Sequence, residues 1–323
     1  MNELDVKDRK ILYELSKNAR LTNKELGKKV GLHKDTVAYR LKQLADNEII
    51  SGHTTYVDFS KLNVQVYKMY FKFHGITTQQ MNVLANEFKK DRTIGWIVIC
   101  SGKWDMIIGV VTKNNEEFYN KKIEIEQKSN QFIEELKVTA HVQAFLYSRD
   151  YLVQKSEPIE IKIFSREENI KIDDKDWKIL QLLGSNSRMS VVEIANKTNL
   201  TQRIVAYRIK ELEKAKIILQ YRTSINLEKI GHIFVKSFIK LQNMNSIDLR
   251  RILQYCKSHP NIVHNVECLG DWDIEPEFEV PTIEDFYIII NEMRDLFSKN
   301  IKNIDSTIIN RELKYQYLIP FEN

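Results

Sequence analysis

A chain of 323 residues, 43% hydrophobic, is long enough for at least two ordinary domains and apolar enough to give each a core. Its 49 basic and 44 acidic residues leave a net charge of +5, which is compatible with a polyanionic partner but too dispersed to identify one. No apolar run reaches the roughly 18 residues of a membrane span, the opening residues are charged unlike a secretory signal, and three cysteines without a CxxC pair (Cys100, Cys256, Cys268) argue against a disulfide framework or a structural zinc site.

In chain order, the first expected element is a helix entered at Asp5, with Ile11, Leu12 and Leu15 at helical spacing. "TNKE" (Thr22 to Glu25) is a capping box that starts a second helix, which ends near Gly31. A third helix carries "VAYRLKQL" (Val37 to Leu44), and the alternation of "HTTYVDF" gives strands after it. Three helices and a strand pair describe a winged helix-turn-helix. Then come an alternating run "VQVYKMYFKF", a helix over 79–89, two strands flanking a turn at "SGKWD", a helix over 118–128 and a closing strand. That βαββαβ order is the ferredoxin-like sandwich. The segment "YLVQKSEPIEIKIFSREENIK" follows as a linker with one edge strand.

The whole pattern is then written again 168 positions later, without a gap: "VAYRIKEL" begins at Val205, and "SVVE" (Ser190 to Glu193) is a second capping box. Asp5, Asp8, Asn18 and Arg20 meet Asp173, Asp176, Asn186 and Arg188, while Gly102, Trp104 and Asp105 meet Gly270, Trp272 and Asp273. Each unit is too long for a solenoid repeat, so this is a tandem duplication. The expected class is α+β, with winged helix-turn-helix domains at 1–62 and 171–230, ferredoxin-like domains at 63–150 and 231–323, and a linker at 151–170.

On a helical wheel Val37, Leu41 and Leu44 face inward and Asp35, Tyr39 and Lys42 outward. The second copy presents Arg203, Tyr207 and Lys210. Such a face suits the major groove of double-stranded DNA. Candidate DNA-contacting residues are Lys34, Asp35, Thr36, Tyr39, Arg40 and Lys42 in copy one, with Gln202, Arg203, Tyr207, Arg208 and Lys210 in copy two. Arg40 and Arg208, at the flank, are placed for phosphates. "HKDT" against "TQRI", just upstream of the shared word, suggests that the heads read unlike half-sites.

These residues resemble the Lrp/AsnC family, with "LDVKDRKILYELSKNARLTNKELGKKVGLHKDTVAYRLKQLADNEIISG" and "IDDKDWKILQLLGSNSRMSVVEIANKTNLTQRIVAYRIKELEKAKII" similar to its DNA-binding head and both bodies similar to its RAM domain. The resemblance implies a cytoplasmic, nucleoid-associated transcription regulator without a cofactor. It also implies that the two bodies pair within the chain as a pseudo-dimer, with room for further self-association, at an effective concentration of order mM. In the family, amino acids or other small effectors bind near the central turn, which carries over to Ser101, Gly102, Trp104 and Asp105 and to Gly270, Trp272 and Asp273. The alternative is a plain hairpin turn capped by Asp, with Trp at the core edge.

After that turn the copies diverge, "MIIGVV" against "IEPEFEV". Glu275, Glu277 and Glu279 on alternate positions are expected to form a wet acidic face rather than a metal site, leaving body one's face for assembly. Two other functions are weighed. One is a tetrapyrrole enzyme like the sirohaem decarboxylases, which share this build and would need His and Arg lining a large cleft; the histidines (His33, His53, His74, His141, His232, His259, His264) form no repeated pair, and there is no nucleophile motif, glycine-rich phosphate loop or metal box, so the expectation is that the chain is not an enzyme. The other is an architectural DNA-binding protein.

Overall fold

The structure, a computed structural model, describes residues 4–154, 158–164 and 169–315. Parts of the expected linker, 155–157 and 165–168, and the end of the second body, 316–323, lie outside them, as do residues 1–3. Head one is α1 (Val6–Lys17), α2 (Asn23–Val30) and α3 (Lys34–Asp46), followed by strand β1 (Ile50–Val57). Asp5 accepts from the Lys7 and Asp8 amides, Thr22 and Glu25 close the capping box, and Gly31 ends α2 in the left-handed region. Body one is β2 (Gln65–Phe73), α4 (Thr78–Lys90), β3 (Ile94–Gly102), β4 (Met106–Thr112), α5 (Asn115–Ser129) and β5 (Ile133–Tyr147). Strand β6 (Glu160–Ile163) leads to head two, α6 (Asp174–Ser185), α7 (Val191–Thr198), α8 (Gln202–Lys214) and β7 (Ile218–Ile225). Body two is β8 (Ile233–Leu241), α9 (Ser246–Ser258), β9 (Ile262–Leu269), β10 (Ile274–Val280), α10 (Ile283–Leu296) and β11 (Ile301–Tyr315).

The bodies join at both edges. The strand order β2-β4-β3-β11-β8-β10-β9-β5 returns to β2 through the β2–β5 pairing, so eight antiparallel strands close a ring with no free edge, and β6 pairs with β5 outside it. The long strands β5 and β11 make the seams: the first half of β5 pairs with β2 of its own body and the second with β9 of the other, while β11 does the same with β8 and β3. This is the expected intrachain pseudo-dimer, and the pairing is isologous as two-fold symmetry requires. Met69, Phe71 and Phe73 lie under the helices with Leu84 and Phe88, whereas Val66 and Tyr70 on the other face meet Trp104, Phe238 and Trp272 inside the ring.

One expectation is corrected here. The strand pair of each head is not a wing hairpin. Each head supplies one strand, and β1 pairs antiparallel with β7 of the other head, from Ile50 opposite Ile225 to Val57 opposite Ile218. The edge strand expected in the linker is β6, paired with β5, and Leu152 before it is buried in the core of head one.

Candidate DNA interface and central cavity

The two third helices offer matched outer faces. Val37 and Leu44, like Val205, Ile209 and Leu212, are buried, while Lys34, Asp35, Thr36 and Lys42 in α3 and Gln202, Arg203 and Lys210 in α8 are exposed. Tyr39 and Tyr207 are each 64% exposed, so both aromatic rings stand on the outer faces of their helices. In copy one Asp35 is not isolated, since His33 Nδ1 lies 3.3 Å from it.

Arg40 and Arg208 differ from expectation. Arg40 Nη1 donates to Asp5 at 2.7 Å and Asp8 at 2.8 Å; Arg208 donates to Asp173 at 2.8 Å and Asp176 at 2.9 Å. Each guanidinium braces the third helix against the cap of the first. Its charge is neutralised there, which removes the reason for assigning it to phosphate. The repeated Asn-x-Arg word, which carried no role in the sequence, has a clear one. Asn18 and Asn186 each accept from the amide two residues on, and Arg20 donates to the Ser187 and Met189 carbonyls across the head boundary while Arg188 donates to that of Ala19. These two arginines clasp the heads together.

The central turns are structural parts of the seams. Asp105 accepts from the Phe73 amide at 2.8 Å and from Lys72 Nζ at 3.0 Å; Asp273 accepts from the Leu241 amide at 2.7 Å and from Lys240 Nζ at 3.2 Å. Trp104 and Trp272 are buried. Gly102 has φ +116°, and a Cβ on it would meet the Ser306 carbonyl at 3.0 Å, while one on Gly270 would meet Val138 O at 2.9 Å, so each glycine lets its turn press on the other body's bridging strand. Ser101 Oγ accepts from Asn310.

The wet acidic face is overturned. Glu275, Glu277 and Glu279 are 0%, 7% and 3% exposed. Their alternation aims them into the ring, where basic groups from distant strands meet them. Glu275 receives Lys68 at 3.0 Å and Lys236 at 2.7 Å, and Trp272 Nε1 at 2.8 Å; Glu277 receives Lys236 at 2.7 Å and His264 Nδ1 at 2.9 Å. Glu279 is held two-pronged by Arg149, at 2.8 and 2.9 Å, and by the Tyr151 hydroxyl. Burial alone would raise these carboxyls, but Lys236 and Lys68 hold Glu275 below the usual range, Lys236 and His264 hold Glu277 well below it, and Arg149 lowers Glu279. The contrast of a wet face with a covered one, on which assembly through body one rested, is therefore gone.

Beside this network lies a cavity of about 840 Å³, between the β1–β7 ribbon and the ring. Pseudo-equivalent positions from both copies line it, such as Thr55 with Thr223, Trp96 with His264, His141 with Ile309 and Ala144 with Glu312. Arg222 also lines it. The residue is 4% exposed, its Nε is buried without a hydrogen-bond partner, and among the described residues it forms no ion pair, only a longer-range attraction to Glu279. Both ring nitrogens of His141 and Nε2 of His264 are likewise unpartnered. Burial lowers both histidines, His141 well below the ordinary value with Lys68 adding to it, so neither is charged near neutral pH. Glu312 keeps exposed area yet is surrounded by protein, as befits a side chain facing an internal space. Burial raises it to about 7 against the hydrogen bond it accepts from Trp96 Nε1.

Among known proteins, a model of the AsnC-type helix-turn-helix domain matches residues 4–45 and one of the winged helix-turn-helix DNA-binding domain matches 172–218. The HTH-type transcriptional regulator LrpA of Bacillus subtilis is 30% identical over 131 residues, covering 38% of this chain and 96% of LrpA. The chain belongs to the Lrp/AsnC family. It is a transcriptional regulator of that type with two DNA-binding heads. An uncharacterised HTH-type transcriptional regulator of Pyrococcus abyssi is 34% identical over 118 residues, 35% of this chain and 77% of that protein. These relatives match a single copy of the unit, and the tandem Lrp/AsnC chain has its whole-length likeness elsewhere. The crystal structure of the siroheme decarboxylase NirDL shares its fold, with a TM-score of 0.64 at 9% identity over 98% of this chain and 94% of that one. No described helix of this Lrp/AsnC protein is long and apolar enough to cross a membrane.

Proposed function

We propose that the chain is a sequence-specific regulator whose two heads grip adjacent half-sites alike but read them differently, acting in the cytoplasm on the nucleoid. The observation that carries this reading is the pair of equally exposed third-helix faces: Tyr39 and Lys42 recur as Tyr207 and Lys210, while Asp35 is replaced by Arg203. The recurring pair supplies docking, with each lysine on phosphate; Arg203 suits guanine and Asp35 suits the amino group of cytosine. The test is affinity for a natural site mutated base by base, at fixed salt. Arg203→Ala should relax specificity at one position of one half-site by about 1–3 kcal/mol, while Lys42→Ala should weaken all sites evenly and lower the salt slope by about 1. Equal loss on every sequence from Arg203→Ala would leave an architectural DNA-binding protein instead.

One observation favours a second reading. His141, His264, Arg149 and Arg222 line a large cavity, which is what an enzyme acting on a tetrapyrrole carboxylate requires, and the fold matches that of NirDL throughout. Carbon dioxide released from siroheme by the purified protein would establish it.

A further inference from the structure

We infer that the cavity on the pseudo-two-fold axis is the effector site, and that it takes one aromatic carboxylate per chain. This deepens the regulator reading and rests on it for the consequence, though not for the binding. The physical argument begins with what is left unsatisfied. A buried guanidinium without a counter-ion is costly, and an organic anion entering beside it would supply that counter-ion in a site of low dielectric. The nearby carboxylates make their hydrogen bonds elsewhere: Glu277 with Lys236 and His264, and Glu279, which attracts Arg222 only through space, with Arg149 and Tyr151. With its Nδ1–H directed at Glu277, neutral His264 presents Nε2 as an acceptor, so a hydroxyl or amine on the ligand also finds a partner. Apolar and aromatic side chains, among them Tyr56, Trp96, Phe164 and Phe234, form part of the remaining lining. They suit a flat hydrocarbon body.

The duplication explains why one ligand would suffice. In a dimer of identical chains, a cavity on the symmetry axis has two identical halves and presents each donor twice. Here the polar members differ between the copies: Arg222, His264 and Glu312 stand where copy one has Thr54, Trp96 and Ala144, and His141 stands where copy two has Ile309. The site is therefore not two-fold symmetric and can orient an asymmetric molecule. It also sits where binding can be read, because Thr55, Tyr56, Arg222 and Thr223 belong to the ribbon that ties the two heads. Ordering that ribbon fixes the heads relative to the ring, which is a differential interaction of the kind linkage requires.

The experiment titrates the full chain by calorimetry with phenylacetate, indole-3-acetate and 3-phenyllactate to millimolar concentration, each beside its neutral carboxamide. DNA affinity is measured with and without each ligand. At least one carboxylate should bind once per chain, with about 10- to 100-fold preference over its amide, and should shift DNA affinity. Arg222→Met should erase that preference. Because it removes a buried unpaired charge, the variant should fold at least as stably as the parent. Intact DNA binding with no carboxylate bound, or a preference that survives Arg222→Met, overturns the inference and leaves the regulator reading standing. Carboxylate binding without any DNA binding keeps the site and sinks the regulator reading. Recovery of a converted ligand makes the site catalytic and overturns its role as an effector site.

Discussion

Strands β4 and β10 occupy the same place in the two bodies and are both buried along their whole length, yet one is Met-Ile-Ile-Gly-Val-Val-Thr and the other Ile-Glu-Pro-Glu-Phe-Glu-Val. Duplication made this possible. Lys68 and Lys236 are pseudo-equivalent and both point into the ring, so a symmetric dimer would carry two such lysines and matching residues on both inner strands. With the copies free to drift, the carboxylates collect on one side: Glu275 and Glu277 stand where copy one has Ile107 and Gly109. Trp272 bonds Glu275, whereas its equivalent Trp104 has a buried Nε1 without a partner. The heads kept their shared docking residues, Tyr39 with Tyr207 and Lys42 with Lys210, while the interior lost its symmetry.

The sharpest way to break this contrast is at its centre. Glu275→Ile rebuilds copy one's residue but strands the ammonium of Lys68 in the ring and halves the pairing of Lys236. A loss of about 3–5 kcal/mol is expected from urea unfolding. A conservative change at the equivalent position of copy one, Ile107→Val, removes only a methylene and should cost about 0.5–1.5 kcal/mol. Equal costs at the two positions would mean that the ion network is not what distinguishes the bodies.

Next in size is the difference between the heads. Replacing Thr201, Gln202, Arg203 and Ile204 by the copy-one residues His, Lys, Asp and Thr makes the reading helices alike. Selection from random DNA should then yield a more nearly palindromic site, and affinity for the parental site should fall by about 1–3 kcal/mol for each base no longer recognised. An unchanged selected site would place specificity outside these four positions.

A smaller effect separates His53 from its equivalent, Tyr221. His53 Nδ1 lies 3.0 Å from Thr223 Oγ1 in the β1–β7 ribbon, and burial, with Arg188 adding, lowers it to about 4. Its folded value lies below its unfolded one, so protonation favours the unfolded chain. Its stability term is intact above the unfolded value of about 6.5 and is lost as pH falls from there towards 4. With discounting for the part of the ring that water reaches, the loss is about 1–2 kcal/mol. His53→Gln should flatten that part of the stability profile.

What the sequence made legible was local or periodic. Capping boxes at Thr22 and Ser190 and the repeat offset are short-range signals, and they placed helices to within a residue or two. The interior was not legible because its partners are remote. Glu275 and Lys68 are 207 positions apart, and an alternating Glu strand reads as a wet face until the chain brings the lysine to it. The β1–β7 pairing has the same cause, since nothing within "HTTYVDF" says that its partner lies in the other copy. Arg222 was invisible because its mark, a buried Nε without a hydrogen-bond partner among the described residues, appears only in three dimensions.

The smallest expected effect tests whether the shared Tyr-Arg word is docking or scaffold. Arg40 and Arg208 each span two carboxylates of their own head and are only partly shielded from water, so each brace contributes about 0.5–1 kcal/mol. Arg40→Ala or Arg208→Ala should therefore lower the unfolding midpoint slightly and leave the salt slope of DNA binding as it was, because a guanidinium held by its aspartates neutralises no phosphate. Tyr39→Ala or Tyr207→Ala should do the reverse, weakening DNA binding with stability unchanged, since those rings are already in solvent. If instead an arginine variant lowered the salt slope by about 1, the guanidinium would have left its aspartates for a phosphate in the complex. The word would then be an interface element in both its residues, and the aspartates at the start of α1 and α6 would be the resting place of a DNA-binding group.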